Sequence, residues 1–163
     1  GLGSDISFIK SFLQRYEFVP IKDKLVLAST ARVGLARTFR DEPLIQSERF
    51  YAGGATSVRG YNENDLGPRS IFGDADGGLA MLIVNGELRF PVYRWVRGVG
   101  FFDLGNVYPT IGDILHTELQ AGTGAGIRVN SPIGLLRFDI GLAVNPRPFD
   151  PSWTVHFGLG HAF

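Results

Sequence analysis

The chain has 163 residues, enough for one domain, and no cysteine, which excludes a disulfide frame and a thiolate site. Lys+Arg and Asp+Glu both total 16, so no global basic field exists to hold nucleic acid. No apolar run reaches the roughly 18 residues of a transmembrane helix, and 22 glycines and 13 phenylalanines among regular turn residues point to an all-β protein.

In chain order, residues 4–18 and 25–39 alternate apolar and polar with a period of two, but imperfectly. Lys10 and Gln14 interrupt the first and Arg37 the second. Residues 79–92 alternate cleanly, with Ala80, Leu82, Val84, Leu88, Phe90 and Val92 on one face and Asn85, Glu87 and Arg89 on the other. Residues 96–107 are less regular but place Asp103 opposite Phe102 and Leu104. Residues 117–130 set Leu119, Ala121, Thr123, Ala125, Ile127 and Val129 against Glu118, Gln120, three glycines, Arg128 and Asn130. Residues 133–145 set Leu136, Phe138, Ile140, Leu142 and Val144 against Arg137, Asp139 and Asn145. Residues 152–163 set Trp153, Val155, Phe157, Leu159 and Phe163 against Thr154, His156 and glycines.

These segments run to about 12–15 residues, against roughly 5–6 for a globular strand. A tilted membrane strand needs about 9–11 residues in hydrocarbon, and the excess fits rims beyond the lipid. The connections fall at 20–24, 40–78, 93–95, 108–116, 131–132 and 146–151, short alternating with longer. Outer-membrane barrels have short periplasmic turns and longer external loops, whereas a soluble sandwich gives no reason for that alternation. The reading is therefore an antiparallel transmembrane β-barrel portion with apolar faces toward lipid and polar faces toward the lumen. Seven strands are expected, with residues 44–51 as a candidate eighth. An odd count entered from outside implies missing upstream strands or a second copy, because unpaired edges in lipid are very costly. Gly1 is expected to begin a processed chain or a fragment.

The long connection carries Glu48-Arg49-Phe50-Tyr51-Ala52-Gly53-Gly54-Ala55-Thr56-Ser57-Val58-Arg59-Gly60-Tyr61. Further on come Gly86-Glu87-Leu88-Arg89-Phe90-Pro91, Phe101-Phe102-Asp103-Leu104-Gly105, Ser131-Pro132-Ile133-Gly134 and a terminal Phe157-Gly158-Leu159-Gly160-His161-Ala162-Phe163. In this order they closely resemble the BamA/TamA superfamily of outer-membrane assembly and translocation barrels, over roughly the last seven strands of such a barrel. The resemblance implies that the Val58-Arg59-Gly60-Tyr61 loop folds back into the lumen and that Arg59 meets Glu87 and Asp103. Strand parity independently puts both acids on the polar face, where two carboxylates suit a guanidinium fork. The alternative is an arginine in a long, solvated external loop.

The resemblance also makes the aromatic ending, with Phe157, Gly158, Gly160 and Phe163, a recognition signal for assembly; Phe163 also suits an interfacial anchor in an aromatic girdle. His161 departs from that signal, which prefers an apolar residue there. Gly122, Gly124 and Gly126 lie within a strand rather than at a strand-to-helix turn, which argues against a nucleotide loop. They either make room for the inserted loop or ease curvature. His116, His156 and His161 have no metal-ligand spacing, and Ser57 and Ser131 lack His/Asp partners, so no metal, cofactor or catalytic residue is expected. Asp74 and Asp76 in a Gly-rich loop read as solvated charge before calcium ligands.

The function that the resemblance implies is non-enzymatic: insertion of barrel proteins into the outer membrane, or polypeptide translocation across it, through a weak lateral seam to which residues 152–163 would contribute one side. A dedicated secretion pore of the same superfamily, a small passive barrel and a soluble barrel with an apolar ligand are the alternatives. The expected partners are outer-membrane lipid, unfolded outer-membrane or secreted polypeptides, and upstream strands, periplasmic domains or a second copy closing the barrel. Nucleic acid is not expected.

Overall fold

The computed structural model describes residues 7–39, 43–132 and 134–160. Seven long strands form one antiparallel sheet: β1 (Phe8–Lys22), β2 (Leu25–Thr38), β3 (Ala80–Tyr93), β4 (Val96–Tyr108), β5 (Gln120–Ser131), β6 (Gly134–Ala143) and β7 (Trp153–Leu159). Their order in the sheet is their order in the chain, with β1 and β7 at its edges. Two-residue turns join β1 to β2 and β3 to β4, each with one residue in the left-handed region, Asp23 (φ 35°) and Arg94 (φ 37°). No α-helix occurs among the described residues; short 3₁₀ segments lie at Gln46–Glu48 and Ile111–Leu115.

The two faces of the sheet differ as the period-two pattern requires. Phe138 is 41% and Phe157 68% exposed, and these two rings pair in register across β6 and β7. Val84, Leu88, Phe102, Ile140, Leu142 and Val155 share that exposed apolar face. The opposite face buries Asn85, Glu87, Asp103, Arg128, Arg137 and Asp139. Apolar side chains outside and charges inside invert a soluble core and match a strand array between lipid and a polar lumen.

That inner face is not polar throughout. Toward the long-connection end, Met81, Ile83 and Val107 form an apolar cluster with Leu44, Phe50, Val58, Tyr61 and Leu66 from the β2–β3 connection. Residues 44–51 are thus not an eighth strand. Leu44 and Phe50 are buried against the sheet, and the Phe50 ring occupies the space that a Cβ on Gly34 would need.

Several strand boundaries differ from expectation. The first strand reaches Lys22, so it includes Pro20. The register shifts between Pro20 and Lys22, and such an irregularity near a strand end accommodates proline. β5 starts at Gln120 instead of residue 117 because side-chain amides occupy the preceding carbonyls: Asn106 donates to the Glu118 carbonyl and Asn145 to that of Leu119. β6 ends at Ala143, short of residue 145. β7 ends at Leu159, where Gly160 turns to φ 91°. Of the expected terminal recognition signal, Phe157, Gly158 and Gly160 are described, whereas Phe163, like His161, lies outside the described residues.

Candidate functional site

Strand register assembles the wall of the site. Thr30, Asn85, Asp103 and Gly122 stand side by side across β2–β5 on the inner face. The next inner row holds Ala28, Glu87, Phe101, Gly124 and Gly141, and the one after it Arg89, Val99, Gly126, Asp139 and His156. Against these rows lies the tip of the long connection, with Val58, Arg59, Gly60 and Tyr61 all buried.

Arg59 is 1% exposed and fully committed. Asp103 grips it in a fork, Oδ2 accepting from Nε at 2.7 Å and Oδ1 from Nη2 at 2.8 Å, and also accepts from the Arg59 backbone N–H at 3.1 Å. Glu87 Oε1 accepts from Nη1 at 2.6 Å, and Asp139 Oδ2 lies 3.8 Å away. The Phe101 ring covers the guanidinium, with its centroid 3.6 Å from Cζ. Burial works against the charge on Arg59, but bonding to Asp103 and then Glu87 outweighs it and raises the pKa above the usual arginine value.

The acids are shared rather than private. Glu87 also accepts from Arg128 and Arg89, and Asp139 from both Nη atoms of Arg128. Every buried carboxylate here therefore meets more than one donor, the condition under which buried charge is tolerated.

Neighbouring bonds fix the loop backbone. Asn85 donates to the Ser57 carbonyl and to Asp103, and accepts from Arg32, which also donates to the Thr56 carbonyl. The Tyr61 hydroxyl lies 3.2 Å from Gln120 Oε1 and from the Ala121 carbonyl, and 3.3 Å from Asn145 Oδ1. Burial, followed by the nearby Asp150 charge, pushes the Tyr61 phenol up. The Gly60 N–H points at His156 Nε2, 3.5 Å away.

Close approach of loop and wall depends on glycine. A Cβ on Gly122 would collide with the Arg59 carbonyl, and one on Gly141 would meet the Gly60 nitrogen at 2.5 Å. Gly60 itself has φ 101° and packs on the β6 backbone at Leu142 and Ala143. Gly124 and Gly126 serve other contacts, facing the Ile140 carbonyl and the Asp139 carboxylate. At the far edge, Gly158 lies under the Arg137 guanidinium, and the Gly160 N–H bonds the Leu135 carbonyl.

A second clamp sits beside the first. Arg147, from the β6–β7 connection, donates to the Gly67 and Asp65 carbonyls, and Asp150 pairs with both Arg147 and Arg69. Asp76 pairs with Arg49 at 2.8 Å. No group of His, Asp or Glu among the described residues is arranged to hold a metal ion.

Comparison with known proteins decides the family. The Omp85 superfamily domain matches residues 1–163. The chain belongs to the Omp85 superfamily. An outer membrane protein assembly factor BamA from Nitratidesulfovibrio vulgaris is 35% identical over 155 residues, covering 88% of this chain and 19% of that protein. A mouse sorting and assembly machinery component 50 homolog is 37% identical, covering 77% of this chain and 27% of its own length. The crystal structure of Haemophilus ducreyi BamA lacking POTRA domains 1–3 superposes with a TM-score of 0.82 at 22% identity, over 96% of this chain and 35% of that one. The fold is thus the C-terminal portion of a BamA-type barrel, and the location is the outer membrane. The chain spans about a fifth to a quarter of those two curated relatives' length.

Several residues of this Omp85 site were not singled out from sequence. Asp139 and Arg128 carried a usable signal, since charged residues on the polar face of adjacent long strands need partners. Phe101 and Asn85 carried none, because an aromatic or amide at such a position has many uses.

Proposed function

We propose that this Omp85 chain forms part of a non-enzymatic machine that inserts barrel proteins into the outer membrane. In this reading the short turns face the periplasm, the apolar face meets lipid, and the Val58–Tyr61 loop is a plug pinned to the lumen wall. The observation that carries it is Arg59, buried and held by Asp103 and Glu87 across three separate chain segments. Such a clamp gives the loop one fixed position, so the lumen keeps its shape while a wall strand exchanges partners.

β7 supplies one side of the seam. It is the shortest strand among the described residues, at 7 residues, and lies at the end of the strand order opposite β1. An incoming strand can add at such an edge through main-chain hydrogen bonds. The relatives' names, assembly factor and sorting and assembly machinery, support insertion over a dedicated secretion pore.

The test is Arg59→Ala in the full-length protein, with insertion of an unfolded client barrel into vesicles and denaturant stability as readouts. The expected outcome is a loss of about 3–5 kcal/mol, as for a broken buried ion pair, together with slower insertion. Unchanged stability and insertion would remove the pinned loop from the mechanism.

A further inference from the structure

Below the Arg59 clamp, toward the short turns, the inner wall carries more positive charge than the clamp uses. Arg97, Arg128 and Arg137 stand opposite one another in register on β4, β5 and β6. Like charges directly opposite across strands are unfavourable. Among the described residues only Glu87 and Asp139 offset them: Arg128 bonds both, and Arg137 comes no nearer than 3.9 Å to Asp139, with its Nε and Nη1 buried without hydrogen bonds. Arg97 is exposed and forms no hydrogen bond or ion pair among the described residues.

A cleft of ≈ 80 Å³ opens beside this row, lined by Arg89, Arg97, Val99, Arg128, Asn130 and Leu135. Among the described residues no carboxylate lines it. Arg89 and Arg97 also line a wider cleft of ≈ 610 Å³ at the short-turn end, which adds Lys24 and Arg94 and again no acid.

We infer that the Arg97 cleft is a binding site for the carboxylate side chains of an acidic polypeptide segment entering the lumen from the short-turn end. The inference rests on the reading of the chain as a polypeptide-handling barrel. Three features select a carboxylate on an aliphatic stem. Guanidiniums bind carboxylates through paired N–H groups, and Arg128 already grips Asp139 that way on this wall. Val99 and Leu135 give the cleft apolar sides that suit the methylenes of a glutamate, which inorganic phosphate lacks. The small volume admits a side-chain head but not a bulky ligand.

The experiment uses full-length protein in detergent and a fluorescein-labelled hexaglutamate peptide read by anisotropy. Hexaglutamate should bind and hexaglutamine should not. Arg97→Gln should weaken binding about tenfold, with Arg97→Lys intermediate because it keeps the charge and loses the fork. Because a variant can misfold, phenylglyoxal labelling of the unaltered protein, mapped by mass spectrometry, serves as a second measurement: hexaglutamate should protect Arg97. Equal binding of hexaglutamine, undiminished binding to Arg97→Gln, or absent protection would overturn the site. Displacement by inorganic phosphate at equal charge concentration would assign it to phosphate and overturn the peptide reading. Client insertion is followed in the same preparations. Insertion without hexaglutamate binding sinks only this inference, and hexaglutamate binding without insertion sinks only the assembly reading.

Discussion

At the residue scale, the clamp works through geometry more than charge. Asp103 engages one edge of the guanidinium and Glu87 the far nitrogen, so the planar fork determines where the loop sits. Arg59→Lys keeps the charge but offers a single ammonium to two carboxylates, and it loses the Phe101 stacking plane. Its stability in denaturant titration should fall between that of the unaltered protein and Arg59→Ala. Gly122 is the matching residue on the wall. Gly122→Val forces a side chain into the Arg59 carbonyl and should release the loop while leaving all three charged partners in place. Limited proteolysis reads this directly: new cleavage within residues 53–65 is expected in Gly122→Val and absent in the parent. If that loop stays protected, the close backbone approach is not what seats it.

At the element scale, each strand has two faces with opposite demands. Phe138 lies on the outer face of β6, next to Asp139 on the inner one. Phe138→Arg puts a charge toward lipid and should cost about 2–4 kcal/mol at the bilayer midplane. Gln14→Glu, on the inner face of β1 opposite Arg32, should change stability by no more than about 0.5 kcal/mol. Unfolding the two variants in lipid vesicles compares the faces, and equal costs would contradict the assignment. The strands also show how alternation alone misplaces ends. Residues 117–119 keep the period, yet the Asn106 and Asn145 amides capture the carbonyls of Glu118 and Leu119, and the ladder starts later.

At the scale of the whole molecule, two distant connections meet over one wall. The β2–β3 connection supplies Arg59 and Tyr61, while the β6–β7 connection supplies Arg147 and Asp150. The Asp150 side chain is nearly inaccessible and serves both Arg69 and Arg147. Asp150→Ala leaves these guanidiniums without their shared acceptor and should cost on the order of 1–3 kcal/mol. Faster amide exchange is expected in residues 62–69, with the Arg59 clamp unaffected. Exchange that speeds up uniformly over the whole sheet would instead mean that the two clamps are one cooperative unit.

What the amino-acid order determined alone was the periodic part of the protein. Length and alternation in the segments around Leu82, Phe138 and Phe157 specify long strands and which side of each is apolar, because side chains point to opposite faces at every step. Parity likewise put Glu87 and Asp103 on the same side. The tertiary structure decided everything that depends on register and on the irregular connection between β2 and β3. It brought Asp139, Arg128 and Phe101 to the clamp, turned residues 44–51 from a possible strand into packing against Gly34, and gave Gly122 and Gly141 their close contacts with the loop. Such meetings depend on residue pairs from far apart in the chain, and local periodicity contains no information about which distant segments will touch.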